Sequence, residues 1–142
     1  MKVLNFGSLN LDYVYQVESI LIPGETQASR DRQTFCGGKG LNQSIALAKA
    51  GIPVYHAGMI GDGGEMLLET CRENGVNTEF IHKIAGPCGH TVIQVDKDGQ
   101  NCILLYGGAN RSITREFVDE VLSAFDKGDI ILLQNEINEL DY

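Results

Sequence analysis

No run of basic residues occurs in the chain, and acidic side chains outnumber basic ones by 19 to 11, giving a formal net charge of −8. Gripping a nucleic-acid backbone needs clustered Lys and Arg that release its counterions, so the composition argues against a nucleic-acid partner. Apolar runs are short. Ile130 to Leu133, four residues, is far below the roughly 20 that span a bilayer, which argues against a membrane partner. The start, Met1-Lys2-Val3-Leu4-Asn5, lacks the apolar core and cleavage site of a secretory leader, so a cytoplasmic protein is expected.

Other absences concern chemistry. Cys36, Cys71, Cys88 and Cys102 are widely spaced, with no CxxC pair of the kind that holds zinc. They read as free, mostly buried thiols in a reducing compartment, Cys36 being the nearest to a site by its neighbours. His56, His82 and His90 share no metal or triad spacing and read as packing or surface residues. Gly37-Gly38-Lys39-Gly40 lacks the GxxxxGK[ST] spacing of a phosphate loop and has Leu41 where a magnesium-binding hydroxyl would stand. Gly7-Ser8-Leu9-Asn10 lacks the later glycines of a dinucleotide fingerprint.

What is present is a single globular domain, residues 1–142, with 43% hydrophobic residues to fill a core. Val3 to Phe6 reads as a buried strand, followed by a helix from near Gly40 that Gly51 stops. Val54 to Gly58 reads as a strand, Glu65 to Asn74 as a helix closed by Gly75, and Phe80 to His82 as a short strand. A helix over Thr114 to Phe125, with a cap at its start, precedes a last strand, Ile130 to Leu133. Alternating strands and helices imply βαβ units and a mainly parallel sheet. Two segments break the alternation, about 13–35 around Pro23-Gly24 and about 90–106 around Asp96-Lys97-Asp98-Gly99. Their alternating residues predict hairpins, which together form a small antiparallel β lid over the carboxyl ends of the strands, where open α/β folds bind ligands.

Two motifs carry candidate chemistry. Asn10 and Asp12 stand two apart after the first strand, so extended backbone points both the same way. A carboxylate there accepts from two neighbouring hydroxyls of a vicinal diol, and the same residues also suit an Asx turn. Gly37-Gly38-Lys39-Gly40 offers bare backbone at the positive end of a helix, with Asn42 one turn inside, and suits either close approach to a ligand or tight helix–sheet packing. Glu136 follows an apolar strand and emerges at the edge that also carries Asp12, as a site residue or as a solvated loop acid.

Taken in order, Asn10-x-Asp12, Pro23-Gly24-Glu25, Gly37-Gly38-Lys39-Gly40-x-Asn42-Gln43, Gly61-Asp62, the lid hairpin, Gly108-Ala109-Asn110 and Gln134-Asn135-Glu136 resemble the N-terminal half of a ribokinase-type (PfkB family) carbohydrate kinase. The resemblance runs from residue 3 to about 137. It implies a partial ribokinase-like, Rossmann-type α/β fold. It also implies that Asn10, Asp12, Gly38, Lys39, Asn42 and Glu136 bind sugar hydroxyls while Thr91 and Leu105 of the lid cover the ring. Pro23-Gly24-Glu25 and Gly108-Ala109-Asn110 are most similar to the ribokinase branch, with fructose- and nucleoside-type acceptors as the alternative. Members transfer the γ-phosphoryl group of ATP to a sugar hydroxyl with an aspartate base and a glycine-rich anion hole that belong to their C-terminal half. No catalytic residue of that kind is expected in residues 1–142. ATP, Mg2+ and K+ are implied for a full-length parent, with none held tightly by this chain, which is expected to be a truncated product and inactive by itself. A non-catalytic sugar-binding or assembly fragment is the rival expectation. Because an all-apolar strand belongs inside a parallel sheet, a bare edge at Ile130 to Leu133 implies a homodimer through that edge or through the lid.

Overall fold

The structure, a computed structural model, describes residues 1–138, 140 and 141. It contains two four-stranded sheets. The first holds β1 (Val3–Phe6), β4 (Val54–Asp62), β5 (Asn77–Pro87) and β8 (Ile130–Leu133) in the order β5-β4-β1-β8, every pair parallel. β1 is buried along its whole length because both faces are covered, which is why it reads as a continuous apolar run apart from Asn5. Val3 packs with Leu41 of α1 (Lys39–Lys49) and Leu67 of α2 (Glu65–Glu73). Leu4 and Phe6 pack on the other face with Phe117 and Val121 of α3 (Arg115–Leu122). Phe6 and Phe117 meet edge to face, 6.3 Å between centroids.

Local sequence explains the helix ends. Both α1 and α2 stop at a glycine with positive φ, Gly51 and Gly75, and each closes a paired end motif: Ile52 N donates to Leu47 O and Gly51 N to Ala48 O in the first, Val76 N to Cys71 O and Gly75 N to Arg72 O in the second. The Thr114 hydroxyl accepts from Phe117 N at 3.2 Å and caps α3.

The second sheet holds β2 (Asn10–Gln16), β3 (Asp31–Gly37), β6 (Gly89–Val95) and β7 (Asn101–Tyr106) in the order β3-β2-β6-β7. Each hairpin is antiparallel as its sequence implies, but the two join through a parallel β2–β6 pair, so the sheet is mixed instead of wholly antiparallel. The reason is directional: β2 and β6 each leave from a strand of the parallel sheet, β1 and β5, and so set out the same way. The strands also begin earlier than the alternation implies, at Asn10 and Gly89, which places Asn10 and Asp12 on the second sheet itself.

β4 and β5 run well beyond Val54–Gly58 and Phe80–His82 because they pair with each other through two register shifts. Gly61 favours a turn locally, and the pairing of β4 with β5 overrides that signal. β8 lies at the edge of its sheet, with Ile130, Ile131 and Leu133 exposed.

Candidate active site

Between the end of the parallel sheet and one face of the second sheet lies a cavity of about 300 Å³. The eight residues singled out from the sequence all line it: Asn10 and Asp12 from β2, Gly38, Lys39 and Asn42 from the start of α1, Thr91 from β6, Leu105 from β7, and Glu136 after β8. Strand periodicity accounts for the wall formed by the second sheet. Asp12, Thr91 and Leu105 are register neighbours across β2, β6 and β7, and Ile93 stands opposite Ile103 one row further out. One face therefore grades from a carboxylate to an apolar patch. Ile93 and Ile103 line the cavity too, and the period of two that relates them to Thr91 and Leu105 is the signal that identifies them in sequence.

The polar side chains are held in place by neighbours. Thr91 Oγ1 donates to Asp12 Oδ1 at 2.6 Å, so this hydroxyl orients the carboxylate and leaves Oδ2 for another donor. Lys39 Nζ meets Glu136 Oε1 at 2.9 Å, and Ser8 Oγ donates to Glu136 Oε2 at 2.9 Å. Burial works against ionisation of Glu136, but the bonds from Lys39 and Ser8 outweigh it and hold the carboxyl below its usual range. Ser8 has a second task, since its hydroxyl accepts from Gly40 N at 3.3 Å while its carbonyl accepts from Leu41 N at 2.9 Å, fixing the first turn of α1. Gly40 must be glycine for that approach. A Cβ there would lie 2.5 Å from the Gly7 carbonyl carbon.

Beneath this turn lies a buried polar chain. Asn5 Nδ2 donates to Gly40 O and to Ser44 Oγ, each at 2.9 Å, and the Ser44 hydroxyl meets His56 Nδ1 at 2.8 Å. His56 Nε2 reaches Gly7 O at 2.9 Å. Its burial lowers the imidazole pKa to about 4, so the ring is neutral. His56 thus has a packing role, as its spacing implies, with both nitrogens engaged. Neither Ser8 nor His56 stands out in the sequence as a site-shaping residue, because their partners come from distant segments.

Cysteine placement departs from expectation in two respects. Cys36, although adjacent to the glycine segment, turns its thiol toward α2, where it accepts from Thr70 Oγ1 at 3.2 Å. Cys71 and Cys88 are buried, whereas Cys102 is exposed on β7. All four are free. Among the described residues, no three His, Cys, Asp or Glu side chains converge as metal ligands, and no helix is long and apolar enough to cross a membrane.

The arrangement of the sheets is matched by known proteins. The family model for pfkB family carbohydrate kinases covers residues 1–140. This chain belongs to that family. The ribokinase of Arabidopsis thaliana is 35% identical over 137 residues, covering 92% of this chain and 36% of its own length. The crystal structure of ribokinase from Thermotoga maritima superposes with a TM-score of 0.86 at 36% identity, over 96% of this chain and 46% of that one. The structure of Arabidopsis thaliana ribokinase complexed with ribose and ATP superposes with a TM-score of 0.77 at 30% identity, over 96% and 46% respectively. The chain therefore spans less than half the length of these pfkB-family relatives.

Proposed function

We propose that this chain is the sugar-binding portion of an ATP-dependent carbohydrate kinase whose acceptor is ribose or a closely related pentose. The observation that carries the reading is the Asp12 carboxylate, oriented by Thr91, standing on one strand with Asn10 and on a sheet face that grades into the apolar patch of Ile93, Ile103 and Leu105 in the same cavity. A monosaccharide needs both kinds of surface. Its hydroxyls require charged or amide partners, and its C–H face is covered by Ile93, Ile103 and Leu105. The ribose in a related structure supports this choice of acceptor. In this reading Asn10, Asp12, Gly38, Lys39, Asn42 and Glu136 contact hydroxyls, and Thr91 and Leu105 close over the ring as part of a lid formed by the second sheet.

The nucleotide is assigned elsewhere. The ionisable side chains of the cavity are Asp12, Glu136 and Lys39, which leave one net negative charge, and Lys39 is already paired. That suits a neutral polyol and not a triphosphate. ATP, Mg2+ and K+ are accordingly placed outside these residues, in a longer protein, and no catalytic base is assigned among them. Free thiols fit a reducing compartment, the cytoplasm. We further infer self-association, because Ile103, Leu104, Leu105 and Tyr106 of β7 and the β8 edge present exposed apolar side chains.

Titration calorimetry of the chain with pentoses, hexoses and nucleosides, with and without ATP, tests the reading. Ribose is expected to bind and ATP to leave its affinity unchanged. A hydrogen bond to a charged group contributes about 1.5–3 kcal/mol, so Asp12→Ala should weaken ribose binding by roughly ten- to a hundredfold. Preferential binding of fructose or a nucleoside would replace the assigned acceptor, and absence of sugar binding by the folded chain would refute the site.

A further inference from the structure

Asn110 lies outside the cavity lining, is 1% exposed, and follows the second sheet at the 3₁₀ turn Gly108–Arg111. Its carboxamide makes three bonds that span about a hundred residues. Leu9 N donates to Asn110 Oδ1 at 2.9 Å, and Asn110 Nδ2 donates to Leu9 O at 3.3 Å and to Asn10 Oδ1 at 2.7 Å. A backbone N–H can only donate and a carbonyl can only accept, so the Leu9 peptide groups determine which end of the Asn110 amide is oxygen. With its nitrogen thus placed, the Asn110 amide determines the next one. The atom of Asn10 that meets Nδ2 must be oxygen, and the Asn10 NH2 is left free of protein acceptors among the described residues, on a side chain that lines the cavity.

We propose that Asn110 is a positioning residue that locks the Asn10 carboxamide with its NH2 toward the ligand, so that position 10 reads an acceptor oxygen on the sugar while Asp12 reads donors. This rests on the sugar reading above and deepens it by assigning opposite hydrogen-bond polarity to the two side chains. Gly89, where β6 begins, belongs to the same device. A Cβ there would lie 2.5 Å from Asn10 Oδ1 and closer still to Asn110 Nδ2, so the pair fits only because the strand enters as bare backbone. Asn110 also ties the exit of the second sheet to the start of β2, so the Asn10 amide is set by the same bonds that seat the base of that sheet.

The test uses the 142-residue chain and two readouts. In the ligand-free protein, nuclear magnetic resonance should show the Asn110 side-chain amide protons, which are hydrogen-bonded, more strongly protected from exchange than those of Asn10. The reverse pattern overturns the assignment whether or not any sugar binds. Ribose titrations then compare wild type, Asn10→Ala, Asn110→Ala and the double variant. Asn110→Ala is expected to weaken ribose binding by about tenfold, and to add nothing in the Asn10→Ala background, whereas a merely structural loss would weaken both backgrounds equally and overturn the proposal. Should Asn110→Ala not fold, Asn110→Asp keeps the bond from Leu9 N and turns the Asn10 amide around. It should then lower ribose affinity to a similar degree, and unchanged affinity refutes the lock. A wild-type chain that shows the expected exchange pattern but no response to ribose refutes the sugar reading instead.

Discussion

Acid should destabilise this protein in large part through the ring of His56. The imidazole is wholly buried on β4, and its two nitrogens have fixed roles: Nε2 carries the proton, because Gly7 O can only accept, and Nδ1 accepts from the Ser44 hydroxyl. A second proton would arrive at Nδ1 facing that hydroxyl, with no carboxylate among the ring's hydrogen-bond partners. Burial lowers the pKa from 6.5 to about 4, the Gly7 carbonyl offsetting only part of the effect. The unfolded ring binds its proton near 6.5 and the folded ring only near 4, so the contribution of the neutral ring is whole above 6.5 and is lost as pH falls toward 4. At about 1.4 kcal/mol per pH unit the loss across that window is about 3 kcal/mol, a large part of a net stability of about 5–15 kcal/mol. Urea unfolding between pH 7.5 and 4 measures it, with His56→Gln as a variant that cannot titrate. Glu136 and Asp129, whose carboxyls are held below their usual range, lose their contributions at the acid end in both proteins, so the difference between the curves isolates the ring. The variant should be the less stable at pH 7.5, and the gap should close by about 3 kcal/mol. Parallel curves, or a His56 ring resonance that titrates near 6.5 in the folded protein, would refute the buried neutral ring.

Gly40→Ala forces a methyl group against the Gly7 peptide and should destabilise the fold by about 1–3 kcal/mol in a thermal melt while weakening ribose binding, since α1 carries Lys39 and Asn42; an unchanged melt would mean that the turn relaxes freely. Light scattering across a concentration series should report dimers or larger species through the exposed apolar strands, and a clean monomer throughout would count against self-association. Phosphoryl transfer depends on stabilising charge around the γ-phosphate, which a cavity with one net negative charge does not supply, so a coupled assay of this chain with MgATP, potassium and ribose should stay at background. Sustained ADP release that scales with the chain and disappears in Asp12→Ala would overturn that expectation.

How much of this was readable in advance depends on how local each cause is. Gly51 and Gly75 stop their helices through bonds within six residues, and Thr114 caps through a bond to Phe117, so a short window contains the whole explanation. The parallel pairing of β2 with β6 has no local cause, because it follows from the directions of β1 and β5. The same division separates the site residues. Asn10 and Asp12 announce themselves by a spacing of two, and Ile93 and Ile103 follow from the alternation that already marks Thr91 and Leu105. Ser8 and Asn110 act across 128 and about 100 residues, and nothing in the sequence next to them records the partner. Thr91 shows the limit most plainly, for its place in the cavity lining follows from strand alternation while the bond of its hydroxyl to Asp12 does not.

The cavity combines groups of very different rigidity, and their bonding explains the division. Glu136 is partly buried and held by Ser8 and Lys39, whereas the Lys39 side chain is 74% exposed. An ion pair with one arm in water contributes little to stability, so its significance is positional: Ser8 and Lys39 together orient the carboxylate. Asp12 is fixed by Thr91, and Asn10 by Asn110, again through groups on neighbouring strands. The anchored carboxylates and amide present their free atoms in set directions before any ligand arrives, and so lose little conformational freedom on binding. Gly38 contributes only backbone, at the turn where α1 begins, and Asn42, exposed one turn further on, completes that wall. The patch of Ile93, Ile103 and Leu105 on the second sheet adds an apolar wall to the same cavity. A ligand that is neutral, hydroxylated along its edge and apolar across one face satisfies both walls together.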